Sequence, residues 1–378
     1  MRTVIVGGGP AGLYLALLLK RQHPRYLISV IEQNPADATF GFGVVFSQRA
    51  LGFLRQADPS SYAEIEARLQ TWPDQAIVHR GQEVRIDGLS FSGIARLELL
   101  QILQRHCRTH DVELHFGERL TDVHQLDNVD LVVAADGVNS VVRQAYADQF
   151  EPRSELLSNR YIWYATRQPF DCLTLTFREN ADGAFVAHHY RYSEDCSTFI
   201  VECDAATFER AGLGQLSDED SRRYCEQLFD ADLHGHELLS NRSSWVNYRV
   251  VSNRRWSYRN IVLIGDALRT VHFSVGSGTR MALQDAVALA RALSETDDIE
   301  PALGAFEDAH RPAVEEFLQV AAESYRWYEG FRDKLALEPV PFAYDYVMRG
   351  GRISHERLKQ RSPALAAAHV AWRAQTNN

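Results

Sequence analysis

The chain has 378 residues, of which 45% are hydrophobic and 24% are charged, and its formal net charge is -10. This length suits two domains or one large one, and the acidic balance argues against nucleic-acid and anionic-membrane partners. Five scattered cysteines without a C-x-x-C pair predict free thiols and no zinc site. The N-terminus lacks a signal-peptide pattern and no apolar run reaches membrane-span length, so we expect a cytoplasmic protein.

The first part of the chain predicts a β-α-β unit, and similar short apolar strands recur later, each ending in a Gly or Asp turn. Strand-turn units of this kind are typical of a doubly wound nucleotide-binding sheet. The strands are expected at residues 3–6, 26–31, 130–134 and 261–264, and helices at residues 11–21 and 96–107.

The middle of the chain, between about residues 159 and 251, alternates apolar and polar side chains, which predicts an antiparallel sheet. The alternating segments are residues 161–167, 173–178, 184–192 and 198–203. Helices are predicted at 217–229, at 279–293 and beyond Pro301, with breaks at Pro312, Pro339 and Pro341.

A glycine fingerprint lies between the first strand and the first helix. Gly7 permits a tight turn, Gly9 lets a pyrophosphate approach the backbone, and Gly12 allows close helix-strand packing. Glu32 ends the second strand and is placed to accept a hydrogen bond from a ribose hydroxyl, which favours FAD or NAD. The predicted site residues in this turn are Gly7, Gly9, Pro10, Ala11 and Gly12.

Two further turns follow buried strands. Asp136-Gly137 would by itself be an ordinary turn. Gly265-Asp266 places a carboxylate at a strand end, where it can take a ribitol or ribose hydroxyl. Further along, Gly276 and Gly278 let the backbone lie against a flat ring, and the helix starting near Thr279 can stabilise negative charge on reduced flavin.

These three motifs, in this order and spacing, resemble the flavoprotein aromatic hydroxylases built like p-hydroxybenzoate hydroxylase, over nearly the whole chain. The resemblance implies tightly but non-covalently bound FAD, with NADH or NADPH as a transient reductant and no metal. It implies that O2 adds at flavin C4a and that the hydroperoxide transfers oxygen to an aromatic ring. It assigns Arg96 and Val45 to the FAD site, and Asp136-Gly137 to both FAD and NAD(P)H.

Shorter segments resemble two branches of this family. One is the monooxygenase part of 2-aminobenzoyl-CoA monooxygenase and salicylyl-CoA 5-hydroxylase, whose bifunctional members carry a second reductase domain. The other is the tryptophan hydroxylase VioD. The shared segments are residues 39–47, 159–164, 187–190, 197–202 and 272–279. Residues 91–96 and 345–354 look more like the CoA branch, and residues 266–268 look more like VioD.

The candidate catalytic residues are His188, His272 and Phe273. Phe273 occupies the place of a proline in the wider family, as in the two closer branches. The spacing of His188, His189 and His272 does not predict a metal site. A single histidine on a strand is usually structural, but by family position His188 and His272 are each as consistent with substrate contact as with a structural role. Three aromatic residues are expected in the core: Tyr161, Trp163 and Tyr190.

The resemblance therefore predicts hydroxylation of an aryl-CoA of the 2-hydroxy- or 2-aminobenzoyl type, at ring carbon 5. The alternative is a VioD-like hydroxylase of tryptophan or another free indole. A halogenase is disfavoured because its W-x-W-x-I-P signature is absent. A non-enzymatic flavin- or nucleotide-binding module is disfavoured by the long substrate sheet and the Gly-x-Gly loop. A CoA tail needs a local basic patch, and the candidates are two groups of arginines near the ends of the insertion, which either face one cleft or are scattered surface charges: Arg153, Arg160, Arg167, Arg249, Arg254 and Arg255.

The expected fold class is α/β (α+β), with a Rossmann-like FAD-binding domain, an inserted β-rich substrate domain and C-terminal helices. The FAD-binding domain is expected to be discontinuous, formed by residues 1–70, 90–158 and 252–330. The substrate domain would comprise residues 71–89 and 159–251, followed by a helical segment at residues 331–378. We expect a monomer or homodimer whose partners are a small aromatic substrate, O2 and NAD(P)H.

Overall fold

The computed structural model describes residues 1–47, 51–351 and 353–376. Arg352, which belongs to the segment 345–354 discussed above, lies outside the described residues. The helices are α1 (Pro10–Gln22), α2 (Gly52–Ala57), α3 (Pro59–Glu66), α4 (Arg96–Thr109), α5 (Val141–Ala145), α6 (Ala147–Phe150), α7 (Ala205–Arg210), α8 (Asp218–Leu228), α9 (Asp230–Leu233), α10 (Gly278–Glu295), α11 (Ile299–Glu329), α12 (Pro339–Met348), α13 (His355–Arg361) and α14 (Pro363–Thr376).

The strands form three sheets. They are β1 (Arg2–Val6), β2 (Leu27–Glu32), β3 (Gly43–Ser47), β4 (Gln70–Trp72), β5 (Gln75–His79), β6 (Gln82–Ile86), β7 (Phe91–Ala95), β8 (Glu113–Phe116), β9 (Leu131–Ala134), β10 (Pro152–Thr166), β11 (Leu173–Asn180), β12 (Gly183–Arg191), β13 (Ser197–Cys203), β14 (Leu238–Leu239), β15 (Val246–Asn253), β16 (Ser257–Tyr258) and β17 (Ile261–Leu263).

The first sheet has the strand order β16-β17-β9-β1-β2-β8 and is parallel except for β16. Its central strands are continuous apolar runs because helices cover both faces of a parallel sheet. In β1, for example, Ile5 is fully buried and pairs with Val30 and Val133. The carboxyl ends of β1, β9 and β17 meet at one edge, so the turns that follow these three strands lie together.

The second sheet has the order β14-β10-β13-β12-β11-β5-β6, and β15 pairs with β10. Strands β10 to β13 pair antiparallel, as the alternating pattern predicted. Strand β5, from much earlier in the chain, adds to β11 in parallel. The 15-residue strand β10 runs from residue 152 to residue 166, so the proposed boundary at residues 158/159 falls inside a continuous strand.

Helix α11 spans 31 residues and contains Pro312, so the predicted break at this proline is wrong. A proline removes one backbone donor and can bend a helix without ending it. Pro339 instead starts α12, where the missing N–H costs nothing, and Pro341 lies in the same first turn. The last helices, α12 to α14, pack on β5 and β6 around a second apolar core that includes Phe177 and Phe342.

The third sheet, β3-β7-β4, lies next to the start of α4. The structure confirms the mixed α/β fold class. The residue boundaries of its two domains stay a prediction. In the described part of the chain, no helix has both the length and the apolar character needed to span a membrane.

Candidate active site

A cavity of about 520 Å³ joins the edge of the first sheet to one face of the second. It begins at the turns after β1, β9 and β17, passes the loop before α10, and ends between the β11–β13 face and helix α12. Twelve of the eighteen site residues expected from the sequence border this one continuous space. The two ends differ in character, since backbone turns form the first end and aromatic side chains form the second.

The turn between β1 and α1 cannot accept side chains at two of its glycines. Gly7 has φ +111°, and a Cβ there would lie 2.2 Å from the carbonyl oxygen of Ala135. A Cβ on Gly12 would lie 2.1 Å from the carbonyl oxygen of Gly7. At Gly9, in contrast, a Cβ would meet no atom within 4 Å. The turn is thus tight on its protein side and open at Gly9, as close approach of a ligand to the backbone requires.

Helix α1 presents its N-terminus to this open side. Pro10 is its first residue, no side chain caps it, and its first turn contains no acidic residue. The leading N–H groups of a helix have no intrahelical partner, and the helix dipole makes this end positive. Pro10 and Ala11 line the cavity. The end of α1 therefore suits an anionic group such as a pyrophosphate.

Glu32 supports the same turn from the end of β2. Its Oε2 accepts a hydrogen bond from the N–H of Gly8 at 2.7 Å, and its Oε1 accepts from the backbone N–H of Asn34 at 2.8 Å. Glu32 is not one of the described residues that border the cavity. Its carboxylate holds the turn in place, and its contact with a ribose stays a prediction.

The Asp136-Gly137 turn lies beside the first one. Asp136 Oδ2 accepts a hydrogen bond from the N–H of Val141 at 2.7 Å, while its buried Oδ1 has no partner among the described residues. Burial raises the pKa of Asp136. Gly137 has φ +77° and borders the cavity, and a Cβ there would meet no atom within 4 Å. An unsatisfied buried acceptor next to an open glycine is consistent with a ligand at this turn.

The Gly265-Asp266 turn is held by a buried ionic network that the sequence did not reveal. Asp285 accepts a hydrogen bond from the N–H of Gly265 at 2.8 Å and two from the guanidinium of Arg269, each at 2.7 Å. His310 Nε2 lies 2.9 Å from the same carboxylate. This network fixes the backbone from which Asp266 projects into the cavity.

Asp266 and Arg96 face each other across the first end of the cavity. Asp266 borders the cavity, and desolvation raises its pKa although Arg96 and Arg269 act to lower it. Arg96 starts α4, and burial lowers its pKa. No carboxylate within the described residues lies within 4.0 Å of the Arg96 guanidinium. An unpaired arginine at this place suits a phosphate oxygen.

The loop before α10 separates the two ends of the cavity. Gly276 has φ +55°, and a Cβ there would lie 3.1 Å from Val45 Cγ1, so the backbone of Gly276 and the side chain of Val45 lie close together. Helix α10 begins at Gly278 without a side-chain cap or an acidic residue in its first turn, and Gly278 and Thr279 line the cavity. The positive end of a second helix thus faces the same space.

Phe273 and His272 lie in this loop but point differently. Phe273 lines the cavity, with its ring centroid 4.8 Å from that of Tyr161. His272 is buried behind it, does not border the cavity among the described residues, and its Nδ1 accepts the N–H of Ser274 at 3.2 Å. Burial lowers the pKa of His272 to about 4, so the ring is neutral and shapes the loop.

His188 lies on β12 and borders the second end of the cavity. Its Nε2 is 3.1 Å from Oε2 of the buried Glu202, whose Oε1 accepts a hydrogen bond from Asn159 Nδ2 at 2.8 Å. Burial would raise the pKa of Glu202, but the hydrogen bond and charge of His188 outweigh it and lower the pKa below its ordinary value. His188 Nδ1 has no hydrogen-bond partner among the described residues, which leaves it available to a ligand.

The neighbouring His189 faces the opposite side of the sheet. Its Nε2 is 2.9 Å from Thr176 Oγ1, and its ring lies between Phe170 and Phe199 at centroid distances of 3.8 and 5.3 Å. Burial lowers its pKa to about 3. His189 is therefore a structural residue of the apolar core, and only His188 of this pair faces the cavity.

The expectation that three aromatic residues belong to the core is confirmed for Tyr190, which packs in an apolar cluster with Trp72, and is wrong for the half-buried Tyr161 and Trp163. All three side chains line the cavity. Alternation identified the strands, but both faces of this sheet are covered, so the pattern did not distinguish the face toward the core from the face toward the cavity. The indole of Trp163 also packs under the loop at Gly41, where a Cβ would be only 3.0 Å from the ring.

The six arginines expected to face one cleft do not form one group. Arg153 and Arg167 lie at opposite ends of β10, and Arg167 pairs with Asp195 at 3.2 Å. Arg254 and Arg255 pair with Glu151, at 2.8 and 3.8 Å. The remaining two are Arg160, whose guanidinium lies over the ring of Phe208, and Arg249. None of the six borders the cavity in the described part of the chain, and their contact with the CoA phosphates stays a prediction.

A family model described as FAD binding domain matches residues 1–299. The chain belongs to this family. It is 40% identical, over 98% of its length and 74% of the relative's, to salicyloyl-CoA 5-hydroxylase of a Streptomyces species. It is 36% identical, over 95% of its length and 97% of the relative's, to 3-hydroxy-4-methyl-anthranilyl-[aryl-carrier protein] 5-monooxygenase of Streptosporangium sibiricum.

A third relative, protodeoxyviolaceinate monooxygenase of Chromobacterium violaceum, is 36% identical over 92% of this chain and 94% of its own. The resemblance to the CoA and violacein branches is thereby confirmed. The fold agrees with 2-methyl-3-hydroxypyridine-5-carboxylic acid oxygenase, at a TM-score of 0.70, 16% identity and 95% coverage of both chains. The protein is a flavin-dependent aromatic monooxygenase, and its cofactor is FAD.

The first end of the cavity fits this cofactor. The glycine turn is open at Gly9, Asp136 has an unsatisfied oxygen, Arg96 has no carboxylate partner among the described residues, and two helix N-termini point inward. Each feature can bind one part of FAD, namely the pyrophosphate, the ribityl or ribose hydroxyls or the polar edge of the ring. In the described ranges, no group of three or more His, Cys, Asp or Glu side chains could hold a metal ion.

Proposed function

We propose that this flavin monooxygenase hydroxylates an aromatic acyl thioester of the 2-hydroxybenzoyl or 2-aminobenzoyl type at ring carbon 5, with NADH or NADPH as reductant. Two of the relatives support this substrate class. Their names specify reaction at position 5 of a salicyloyl group on CoA and of an anthranilyl group on a carrier protein. A hydroxyl or amino group at carbon 2 donates electron density to carbon 5, so an electrophilic oxygen is expected to react there.

The observation that carries the proposal is the His188–Glu202 pair at the aromatic end of the cavity. His188 lines the cavity with Nδ1 free of hydrogen bonds to the described residues, and its ring centroid is 5.2 Å from that of Phe273 in the loop before α10. A base at this place can accept the proton of a phenolic hydroxyl. Because the low pKa of Glu202 keeps its carboxylate charged, it stabilises the imidazolium that forms. Loss of the proton makes the ring a stronger electron donor.

FAD would be held by the β1–α1 turn, Arg96, Asp266 and the loop at residues 276–279, and when bound it accepts hydride from NAD(P)H and activates O2. The other tasks belong to this chain's own residues. Tyr161, Trp163 and Phe273 form aromatic walls that bind a flat ring and exclude water. His188 orients the ring through its hydroxyl or amino group.

The alternative substrate is an indole, because the third relative acts on protodeoxyviolaceinate according to its name. That name does not support free tryptophan. An indole substrate would bind between the same aromatic side chains as a benzoyl group, so these side chains do not indicate which of the two substrates is used. A phenolic hydroxyl on the ring separates the 2-hydroxybenzoyl substrate from an indole, since only the phenol gives His188 a proton to accept.

A substrate panel tests the proposal. The purified FAD-loaded protein is given salicyloyl-CoA, 2-aminobenzoyl-CoA, free salicylate, free anthranilate, tryptophan and indole, and both NAD(P)H oxidation and oxygenated product are measured. We expect the thioesters to have a kcat/KM at least about a hundredfold above the free acids, equivalent to about 3 kcal/mol of transition-state binding. Equal turnover of the free acids, or a preference for an indole, would reject the thioester.

A further inference from the structure

Arg349 is a cation at the aromatic end of the cavity. It follows α12 and is fixed by three hydrogen bonds. Its Nε donates to Ser324 Oγ at 3.0 Å, its Nη1 to the carbonyl oxygen of Tyr346 at 2.9 Å, and its Nη2 to the carbonyl oxygen of Ser274 at 3.1 Å. A guanidinium has five N–H donors, so two remain unused by these partners. The side chain is held rigidly while part of its binding capacity is free.

The charge of Arg349 has no carboxylate partner within 4.0 Å among the described residues. Among those residues, Asp266 is the acidic one that borders the cavity, and it lies at the other end near Arg96. The Arg349 guanidinium instead stacks on the ring of Tyr346, with Cζ 3.7 Å from the centroid. This contact offsets part of the desolvation of the cation but leaves two of its N–H groups without an acceptor in the described part of the chain.

Arg349 and His188 both border the cavity and both lie near one aromatic ring. The ring centroid of Tyr328 is 5.9 Å from Arg349 Cζ and 5.0 Å from the His188 ring. A benzoyl group with a substituent at carbon 2 carries two polar groups on adjacent ring carbons. A single ligand in this part of the cavity can therefore offer its hydroxyl or amino group to His188 and its acyl oxygen to Arg349.

We infer that Arg349 binds the acyl oxygen of the aromatic substrate and is a specificity-determining residue. The inference rests on the proposed function, because it needs a substrate with an acyl group beside the donor substituent. A cation at the acyl oxygen draws electron density from the ring positions ortho and para to the acyl group. Carbon 5 is meta to the acyl group and para to the donor, so binding in this manner does not withdraw electron density from it.

The test compares two ligands in two proteins. Salicyloyl-CoA has the acyl oxygen, and its thioether analogue 2-hydroxybenzyl-CoA lacks it. Dissociation constants for the FAD-loaded wild type and for Arg349→Met are measured by titration calorimetry. We expect wild type to bind the thioester about tenfold to a hundredfold more tightly than the thioether, as a hydrogen bond from a charged donor implies. In Arg349→Met the ratio should fall to near one.

Two control variants separate substrate binding from support of the loop. Ser324→Ala removes one partner of Arg349 but not its charge, and should preserve the thioester preference. Arg326→Met removes an exposed arginine on α11 and should change neither constant. FAD affinity is measured for every variant. If Arg349 only supports the loop through Ser274, Arg349→Met should weaken FAD binding and leave the preference for the thioester over the thioether unchanged. That combination would overturn the inference.

The outcomes also distinguish this inference from the proposed function. If wild type binds neither CoA compound, the thioester substrate is rejected. If free salicylate then binds with the same dependence on Arg349, the residue still recognises an acyl oxygen, now as a carboxylate. If wild type prefers the thioester and Arg349→Met keeps that preference in full, the proposed function stands and the role of Arg349 is wrong.

Discussion

Arg143 donates a hydrogen bond from Nη1 to the carbonyl oxygen of Ala267 at 2.9 Å, across 124 positions of the chain. The same guanidinium also donates to the carbonyl oxygen of Val138. One buried arginine thus ties the Asp136-Gly137 turn to the Gly265-Asp266 turn. The turns belong to neighbouring parallel strands, β9 and β17, so their spacing is set by the sheet and their relative orientation by Arg143.

The convergence of the three turns has a physical cause that does not depend on any one of them. Parallel strands bring all their carboxyl ends to one edge of the sheet, and the backbone N–H and C=O groups beyond these ends are not hydrogen-bonded to neighbouring strands. Gly7, Gly137 and Gly265 all have positive φ at this edge. Each turn therefore exposes its backbone to the same space, and the helices α1 and α10 add their N-terminal dipoles.

Gly9→Ala should weaken FAD binding without destabilising the fold. The new Cβ meets no protein atom within 4 Å, so the free energy of unfolding of the FAD-free protein should not change. The methyl group would occupy the space into which a pyrophosphate must come, and we expect the FAD dissociation constant to rise roughly tenfold or more. Flavin fluorescence titration measures it.

Gly52→Ala is the matched control, because a Cβ at Gly52 also meets no atom within 4 Å and this residue lies in α2, away from the cavity. It should leave FAD binding unchanged. If Gly9→Ala retains wild-type affinity, the pyrophosphate does not lie at this turn. If Gly9→Ala fails to fold, the open side of the turn is misassigned.

The sequence predicted this end of the site well because its requirements are local. A turn that must adopt a positive φ, or let another backbone pass within van der Waals contact, accepts only glycine, and the sequence shows glycine there. Gly7 and Gly12 are of this type. Glu32 was found in the same way, as an acid at the end of β2, although its carboxylate holds the N–H of Gly8.

The aromatic end was less predictable because it is assembled from distant elements. Strand β13 is buried along its whole length, so alternation could not single out Glu202 as the partner of His188. Arg349 reaches the cavity only because α12 packs on β5 and β6. Asp285 lies on α10 and Arg269 lies before it. In the sequence each looks like an ordinary surface charge, because neither their pairing nor their burial can be seen there.

Asp285→Asn should destabilise the protein strongly. The carboxylate is fully buried and neutralises Arg269, which is 3% exposed, while it also binds the N–H of Gly265. Removing its charge leaves Arg269 uncompensated, and we expect a loss of about 3 kcal/mol in the free energy of unfolding. Urea denaturation of the FAD-free protein measures it.

Glu295→Gln is the control for that measurement, because Glu295 pairs with Arg291 at 2.9 Å on the exposed surface of the same helix. It should cause no measurable change. Equal stability of Asp285→Asn and wild type would show that Arg269 has another counter-charge. Since the network also positions Asp266, the Asp285 variant should bind FAD more weakly than its stability alone explains.

His188→Gln should slow hydroxylation of a phenolic substrate more than that of an aniline. Glutamine keeps a polar side chain but cannot accept a proton, so kcat with salicyloyl-CoA should fall by roughly a hundredfold. The rate should recover as the pH rises and the substrate hydroxyl ionises in solution. With 2-aminobenzoyl-CoA, which needs no deprotonation to donate electrons, the fall should be much smaller.

Glu202→Gln tests the same pair from its buried side, because it keeps a hydrogen bond to His188 and removes the charge that stabilises the imidazolium. We expect a smaller fall with the phenol and none with the aniline. FAD affinity serves as the check on folding in both variants. A His188→Gln enzyme that loses the same factor with both substrates, at all pH values, would assign His188 to ring binding alone.

The pH dependence of stability should reveal the buried neutral His272. Its pKa in the folded protein is about 4 against an ordinary value of 6.5, because burial disfavours the imidazolium. The unfolded chain therefore takes up a proton first as the pH falls. The stability that His272 contributes is present in full above pH 6.5 and is lost progressively as the pH falls toward the folded-state pKa.

His272→Asn should remove this part of the pH dependence. Asparagine keeps an acceptor for the N–H of Ser274, which His272 Nδ1 binds in the native loop, but it does not titrate. From about pH 7.5 to about pH 5, the free energy of unfolding of wild type should fall by about 2 kcal/mol more than that of the variant. Urea unfolding of the two proteins at each pH gives the difference directly.

His124→Asn, at a histidine whose side chain is 77% exposed, should follow wild type at every pH. A His272→Asn protein whose stability tracks wild type over the whole range would mean that the His272 ring protonates freely in the folded loop, and the neutral, loop-shaping role assigned to it would be wrong.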